Sequence, residues 1–264
     1  MERDAGRDAR IRLVIFSVAL GALAVAEAAA PARRRTLTRP QRWPAAAMLS
    51  LLAGVVGRLV QPAALAGVAL WTKRGRMGLL NRAPAPPWLA WATTLVVLDL
   101  AVWAQHVLSH KHPAFWRLHR VHHSDPDLDV TTGVRFHPLE IAVSGIWKAA
   151  VAAAIGAPAG AVLAFEVWLS TGALFTHANV KLPRGLDRVL RRVVVTPASH
   201  RLHHRTGEGE SQVNFGFGLA AWDRLFGVFS AGEVNDGERL GVGDRWRFSR
   251  DQRALALLVQ PLTP

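Results

Sequence analysis

His119-Arg120-Val121-His122-His123 and His200-Arg201-Leu202-His203-His204 spell one pattern twice, and His106-Val107-Leu108-Ser109-His110 precedes them. On a helix, residues three and four apart share a face, so the first histidine of each HxxHH unit lies over the other two. The adjacent pair diverges by about 100°. That divergence suits two metal ions better than one: each unit offers one imidazole to each ion, and its first histidine orients the site. His106 and His110, four apart, share a face at the end of an apolar run. All 11 histidines fall between positions 106 and 204. Imidazole suits iron, zinc and copper, and one ion takes about four to six ligands, so these three units already exceed a mononuclear site. His137 and His177 are further single candidates. His112, followed by Pro113, reads as a bystander.

The composition points to a membrane. Half of the 264 residues are hydrophobic, and mean hydropathy is +0.17. Charged residues make up 19%, against roughly 25% in soluble domains. Cysteine is absent, which excludes disulfides, thiolate zinc sites, cysteine-bound iron–sulfur clusters and a cysteine nucleophile. Tyrosine is absent as well. The net charge of +13 would suit nucleic acid, but the basic residues flank apolar runs and no nucleic-acid module is present. The positive-inside rule and anionic headgroups account for them.

A membrane-spanning helix needs about 20 mostly apolar residues. Ile11 to Ala30 meets this and is followed by Arg33-Arg34-Arg35, so it reads as an anchored span rather than a signal peptide. Ala45 to Trp71 is interrupted by Arg58 and Gln61-Pro62, and reads either as one long kinked span or as a broken, re-entrant pair. Trp88 to Gln105 leads into the first histidines. Leu139 to Ile155 and Ala159 to Thr176 are split by Gly156-Ala157-Pro158, the mark of a tight turn and an antiparallel hairpin. The expected fold is all-α: a polytopic membrane protein with about four or five membrane helices and a cytosolic helical cap holding a histidine-rich dimetal site. Residues 1–87 form N-terminal membrane helices and basic loops, 88–230 a catalytic domain, and 231–264 a tail. Pro31–Pro44 and Thr72–Pro87 are both basic, yet one span between them forbids a common side. The histidine segments and the basic tail decide the orientation, leaving the loop after Trp71 external unless the second run is re-entrant.

The motifs resemble the fatty acid hydroxylase/sterol desaturase superfamily. The resemblance rests on His106-x-x-x-His110, Phe115-Trp116-Arg117-Leu118-His119-Arg120-Val121-His122-His123-Ser124, Arg135-Phe136-His137-Pro138-Leu139-Glu140, His177-Ala178-Asn179-Val180, Thr196-Pro197-x-x-His200-Arg201-Leu202-His203-His204, Asn214-Phe215-Gly216 and Trp222-Asp223-Arg224-Leu225-Phe226-Gly227. It covers residues 90 to 230. It implies a di-iron centre that uses O2 and external electrons to hydroxylate or desaturate a lipid or sterol-like apolar substrate. It also implies His106, His110, His119, His122, His123, His177, His200, His203 and His204 as ligands, with His137 as a further candidate. Trp103 and Val107 stand where the family often has Tyr and Arg.

Three polar residues join the histidines as candidates for the reaction. Asp99, two helical turns before His106, either orients a ligand imidazole or pairs with an arginine. Glu140 is placed to orient a ligand in the same way, and Asn179 to hold a metal-bound water or a backbone group. Glu166 and Lys148, on the two arms of the hairpin, read as a pair or as snorkelling side chains. Trp222-Asp223-Arg224 reads as a pin for the tail, and Arg184, Arg188, Arg191 and Arg192 as an interfacial helix against headgroups. A substrate drawn from the bilayer needs no polar pocket. No flavin, haem or ferredoxin motif is present, so a separate electron donor of ferredoxin or cytochrome type is required. The rivals are a membrane metal carrier or storage protein, and a same-fold enzyme with altered lipid chemistry.

Overall fold

Proline opens the helices that matter most, because its missing N–H costs nothing in a first turn. Pro87 starts α5 (Pro87–Lys111), Pro113 starts α6 (Pro113–His123), Pro138 starts α7 (Pro138–Ile155) and Pro197 starts α10 (Pro197–His203). The computed structural model describes residues 2–60, 64–83, 85–206, 212–235, 237–242 and 252–263, with backbone alone at 2–8, 58–60 and 64–66. The remaining helices are α1 (Glu2–Ala29), α2 (Arg39–Val60), α3 (Ala64–Arg74), α4 (Leu79–Arg82), α8 (Ala159–His177), α9 (Arg184–Leu190), α11 (Ala221–Leu225) and α12 (Ala254–Val259). Among the described residues the fold is all-helical, and only isolated bridges such as Val194–Leu219 pair extended backbone.

Among the described residues, four helices are long and apolar enough to cross a membrane: Ala9–Ala29 within α1, then α5, α7 and α8. The second apolar run is two helices, α2 and α3. Gln61 and Pro62, expected to interrupt it, lie outside the described residues, as does the side chain of Arg58. α1 ends near the histidines, where the Glu27 carboxylate accepts from the Val130 and Asn179 amides at 2.6 and 2.8 Å. α2 starts at the same end, with Arg42 bonded to Asp125 and Asp129. After α3 the chain has reached the opposite end, where Gly78 meets Gly156. The run therefore traverses the bundle in two pieces and is not re-entrant, and the basic loop after Trp71 lies away from the histidines.

The turn between α7 and α8 depends on glycine. Gly156 closes α7 at φ 67°, ψ 44°, and its N–H reaches the Ala152 and Ala153 carbonyls, the left-handed cap that glycine adopts without a Cβ clash. Gly78, at φ 86°, packs so closely that a Cβ there would lie 2.3 Å from the Gly156 nitrogen. Leu98, Val102, Ala152, Val162 and Phe165 fill the core of this half. A second cluster, Ala45, Leu49, Val121 and Leu257, joins α2, α6 and α12. The segment after residue 230 thus returns to the back of α6, the helix that carries the first HxxHH unit.

Candidate metal centre

Nine histidines come from the last turns of four helices. His106 and His110 end α5, His119, His122 and His123 end α6, and His177 ends α8. His200 and His203 lie on α10, and His204 is its C-cap. Helix C-termini carry partial negative charge and favour nearby cations, so four of them converge where cations would be held. A reciprocal capping box between Thr196 and Ser199 starts the short α10. The nine imidazoles form two groups: His106, His110, His119, His123 and His203, and His122, His177, His200 and His204. Within each group the donor atoms lie within 4.8 Å of one another, and every residue is buried. The adjacent pairs His122–His123 and His203–His204 are each divided between the groups, as their divergence on a helix requires. The first histidine of each unit, His119 or His200, belongs to a group itself.

Backbone carbonyls set the tautomers. His106 Nδ1 lies 2.5 Å from the Phe215 carbonyl, His177 Nδ1 2.7 Å from that of Ala173 and His203 Nδ1 2.8 Å from that of Val213. His119 Nδ1 lies 2.6 Å from Glu140 Oε1. A carbonyl or carboxylate only accepts, so each Nδ1 carries the hydrogen and each Nε2 keeps its lone pair. Those lone pairs converge. His177 Nε2 is 3.0 Å from Nε2 of both His122 and His200, and His203 Nε2 is 3.1 Å from that of His123. Two imidazole nitrogens bound at right angles to one ion at about 2.1 Å stand about 3.0 Å apart. Among the described residues, nitrogens of His106, His110, His119, His122, His200 and His204 are buried without a hydrogen-bond partner, which is costly unless something else engages them. Burial, with mutual repulsion, pushes the His122, His123, His200 and His204 imidazoles well below their usual range. Burial likewise pushes His203 down to about 3. They are neutral at physiological pH, the ligating form. The donor set fits two metal ions.

The model of the family described as fatty acid hydroxylase matches residues 91–228. The chain belongs to the fatty acid hydroxylase family. Its curated relatives include the ornithine lipid hydroxylase of Rhizobium tropici, 33% identical over 140 residues that cover 51% of this chain and 40% of that protein. The alkylglycerol monooxygenases of Homo sapiens and Xenopus tropicalis are 27% identical over 150 residues and 29% over 148; these cover 55% and 54% of this chain and 31% of each relative. The chain therefore spans less than half the length of these relatives. No solved structure shows a significant match. The fatty acid hydroxylase match takes in α5 to α11 and all nine histidines, and with the four apolar helices it makes this an integral membrane protein.

Around this fatty acid hydroxylase centre the other candidates separate. Glu140 Oε1 accepts from His119 Nδ1. His137 lies outside both groups: its Nδ1 accepts from the Leu139 amide and caps α7, and its Nε2 lies 3.2 Å from the Leu258 carbonyl. Asp99 meets neither a histidine nor an arginine. Trp168 and Trp222 Nε1 and the Leu219 amide donate to it at 3.2, 2.8 and 3.1 Å, tying α5 to α8 and to the loop that carries Phe215. Asn179 clamps Arg33, accepting from its amide at 3.0 Å and donating to its carbonyl at 2.9 Å. Asp223 takes Trp103 Nε1 and the Phe215 and Gly216 amides, so Trp222-Asp223-Arg224 does pin its segment. Sequence reasoning missed the buried Arg42–Asp125–Asp129–Arg135 network between α2 and the loop after α6. Burial pushes the Asp125 carboxyl up, but the Arg42 and Arg135 guanidiniums outweigh it and hold the carboxyl below its usual range. It missed Arg120 too, which bonds the Gln260 and Thr263 carbonyls. Arg42 stands 83 residues before Asp125 and loop charges carry no periodic signal, so only the folded chain brings them together.

A cavity of about 600 Å³ abuts the centre, with His106 and His119 in its wall beside Glu140, Val102, Phe136 and Phe217. A groove of about 1090 Å³ between α1 and α2 adjoins it, and Phe16, Ser50, Gly54 and Val134 line both. The cavity wall also carries Arg12, Lys148 and Glu166, so the expectation of a pocket without polar groups is not met.

Proposed function

We propose that the protein is an O2-dependent di-iron oxidoreductase that hydroxylates or desaturates an apolar chain of a membrane lipid or sterol-like molecule, with electrons from an external ferredoxin or cytochrome-type donor. The observation that carries this reading is the shared wall: His106 and His119 belong to one histidine group and also face the cavity. Relatives named for hydroxylating ornithine lipid and for oxidising alkylglycerols support a lipid substrate.

The irons, when bound, supply O2 activation for attack on an unactivated C–H bond. This chain's residues do the rest. The carbonyls of Phe215, Ala173 and Val213 and the Glu140 carboxylate hold four imidazoles in the ligating tautomer. Phe136 stacks on His122, centroids 4.3 Å apart at 9°, and Val102, Phe136 and Phe217 give the wall beside His106 and His119 apolar surface for the reacting chain. Gly133 lets the loop after α6 lie against α8, where a Cβ would come within 2.6 Å of the Ala173 carbonyl. The helical cap is assigned to the cytoplasmic side by the positive-inside rule; Arg34 is exposed there, while Arg33 bonds the Asn235 and Glu238 carbonyls and Arg35 and Arg39 pair with Glu27. On α9, Leu186 and Val189 are exposed between arginines, the pattern of a helix lying in the interface.

Purified protein should hold two irons per chain. With reductase, ferredoxin and isotopic O2 it should place one labelled oxygen in an apolar chain or leave an unlabelled double bond. Conversion that proceeds equally without O2 or reductant transfers the reading to altered lipid chemistry. Bound metal with every offered lipid unchanged favours the carrier.

A further inference from the structure

Glu166 and Lys148 face each other across the hairpin in sequence, but the structure gives Glu166 to another partner. Arg12 of α1 forms the ion pair with it. Lys148, near the middle of α7, is half-buried and lines the cavity. Among the described residues its ammonium makes no hydrogen bond and no ion pair, and the carboxylate across the hairpin is taken by Arg12. An intramembrane cation without an ion-pair partner is expensive, and such a residue marks a functional site by default.

The charge balance identifies what this end of the cavity takes. Arg12, Lys148 and Glu166 sum to one positive charge. Glu140, the other carboxylate in the wall, stands about two helical turns from Lys148 and is occupied by His119. Leu13, Val102, Ile141, Leu169 and Phe217 line the same cavity, with Ser144 on α7 between Glu140 and Lys148. One end of the cavity therefore carries an excess cation, the other carries the histidines, and a mostly apolar wall joins them.

We propose that Lys148 docks the anionic group, a carboxylate or a phosphate, of an amphipathic substrate whose alkyl chain extends along the cavity toward His106 and His119. The word substrate rests on the oxygenase reading; the docking itself does not. Glu140 and Lys148 are separated by about 12 Å along α7, so oxidation falls on methylenes well removed from the anionic group.

The test is binding without turnover. Full-length, metal-loaded protein in neutral detergent, with no reductant, is equilibrated with labelled palmitate and challenged with hexadecyl phosphate, methyl palmitate and hexadecanol. Palmitate or hexadecyl phosphate should compete at least tenfold better than the two neutral chains, and the better anion names the group. Lys148→Met and Lys148→Gln should erase that preference while leaving methyl palmitate binding and metal content unchanged, and Lys148→Arg should keep it. Equal binding of anionic and neutral chains by the native protein overturns the proposal, whatever the variants do. So does an anion preference that survives in the Met and Gln variants. Anion preference without lipid oxidation would sink the oxygenase reading alone; oxidation without anion preference would sink the docking alone.

Discussion

Glu140 and His137 sit on the same first turn of α7, yet only one of them touches a histidine group. Glu140 accepts from His119 Nδ1, and removing such a partner costs about 10–100-fold in metal affinity. Glu140→Ala should therefore lower bound iron at limiting metal by that factor. His137→Ala should leave iron content intact and cost about 1 kcal/mol, the value of a helix cap. Metal analysis and thermal melts of the two variants separate the roles, and iron loss in the His137 variant would return that residue to the ligand set. At this scale the sequence was informative wherever spacing carried the chemistry. The HxxHH divergence places His122 and His123, and likewise His203 and His204, in different groups. It was silent where a partner arrives from a distant element. Nothing next to Asp99 announces Trp168 and Trp222, and nothing next to Asn179 announces Arg33.

Helices and turns show the same division. The hairpin is legible because its signals are local: two apolar runs and a Gly-Ala-Pro break. α12 is not, since six residues with one buried leucine carry no period that separates a packed helix from a frayed end. Its role comes from what it covers: Leu257 closes the cluster behind Val121, and the carbonyls of Gln260 and Thr263 receive Arg120. Leu257→Ala should cost about 2–5 kcal/mol, the range for a buried leucine, and lower the melting temperature. A melting temperature equal to that of the native protein would show that α12 contributes nothing to α6.

The whole molecule obeys a parity rule. α1, the α2–α3 pair, α5, α7 and α8 alternate direction, so every histidine segment meets at one end while the loop after Trp71 sits at the other. Reporter fusions after Ser124 and Val228 should report one compartment and a fusion after Arg76 the opposite one. Disagreement between the first two would break the single centre. Two basic loops on opposite ends defeat a charge count, which is why the sequence left the second run undecided. The groove between α1 and α2 has a final consequence. Exposed Leu51 and Val55 line it, so on the oxygenase reading a lipid arrives sideways, by diffusion in two dimensions. Supply is then governed by mole fraction within the leaflet. Two cells with the same total amount of substrate but different membrane compositions would feed this protein at different rates.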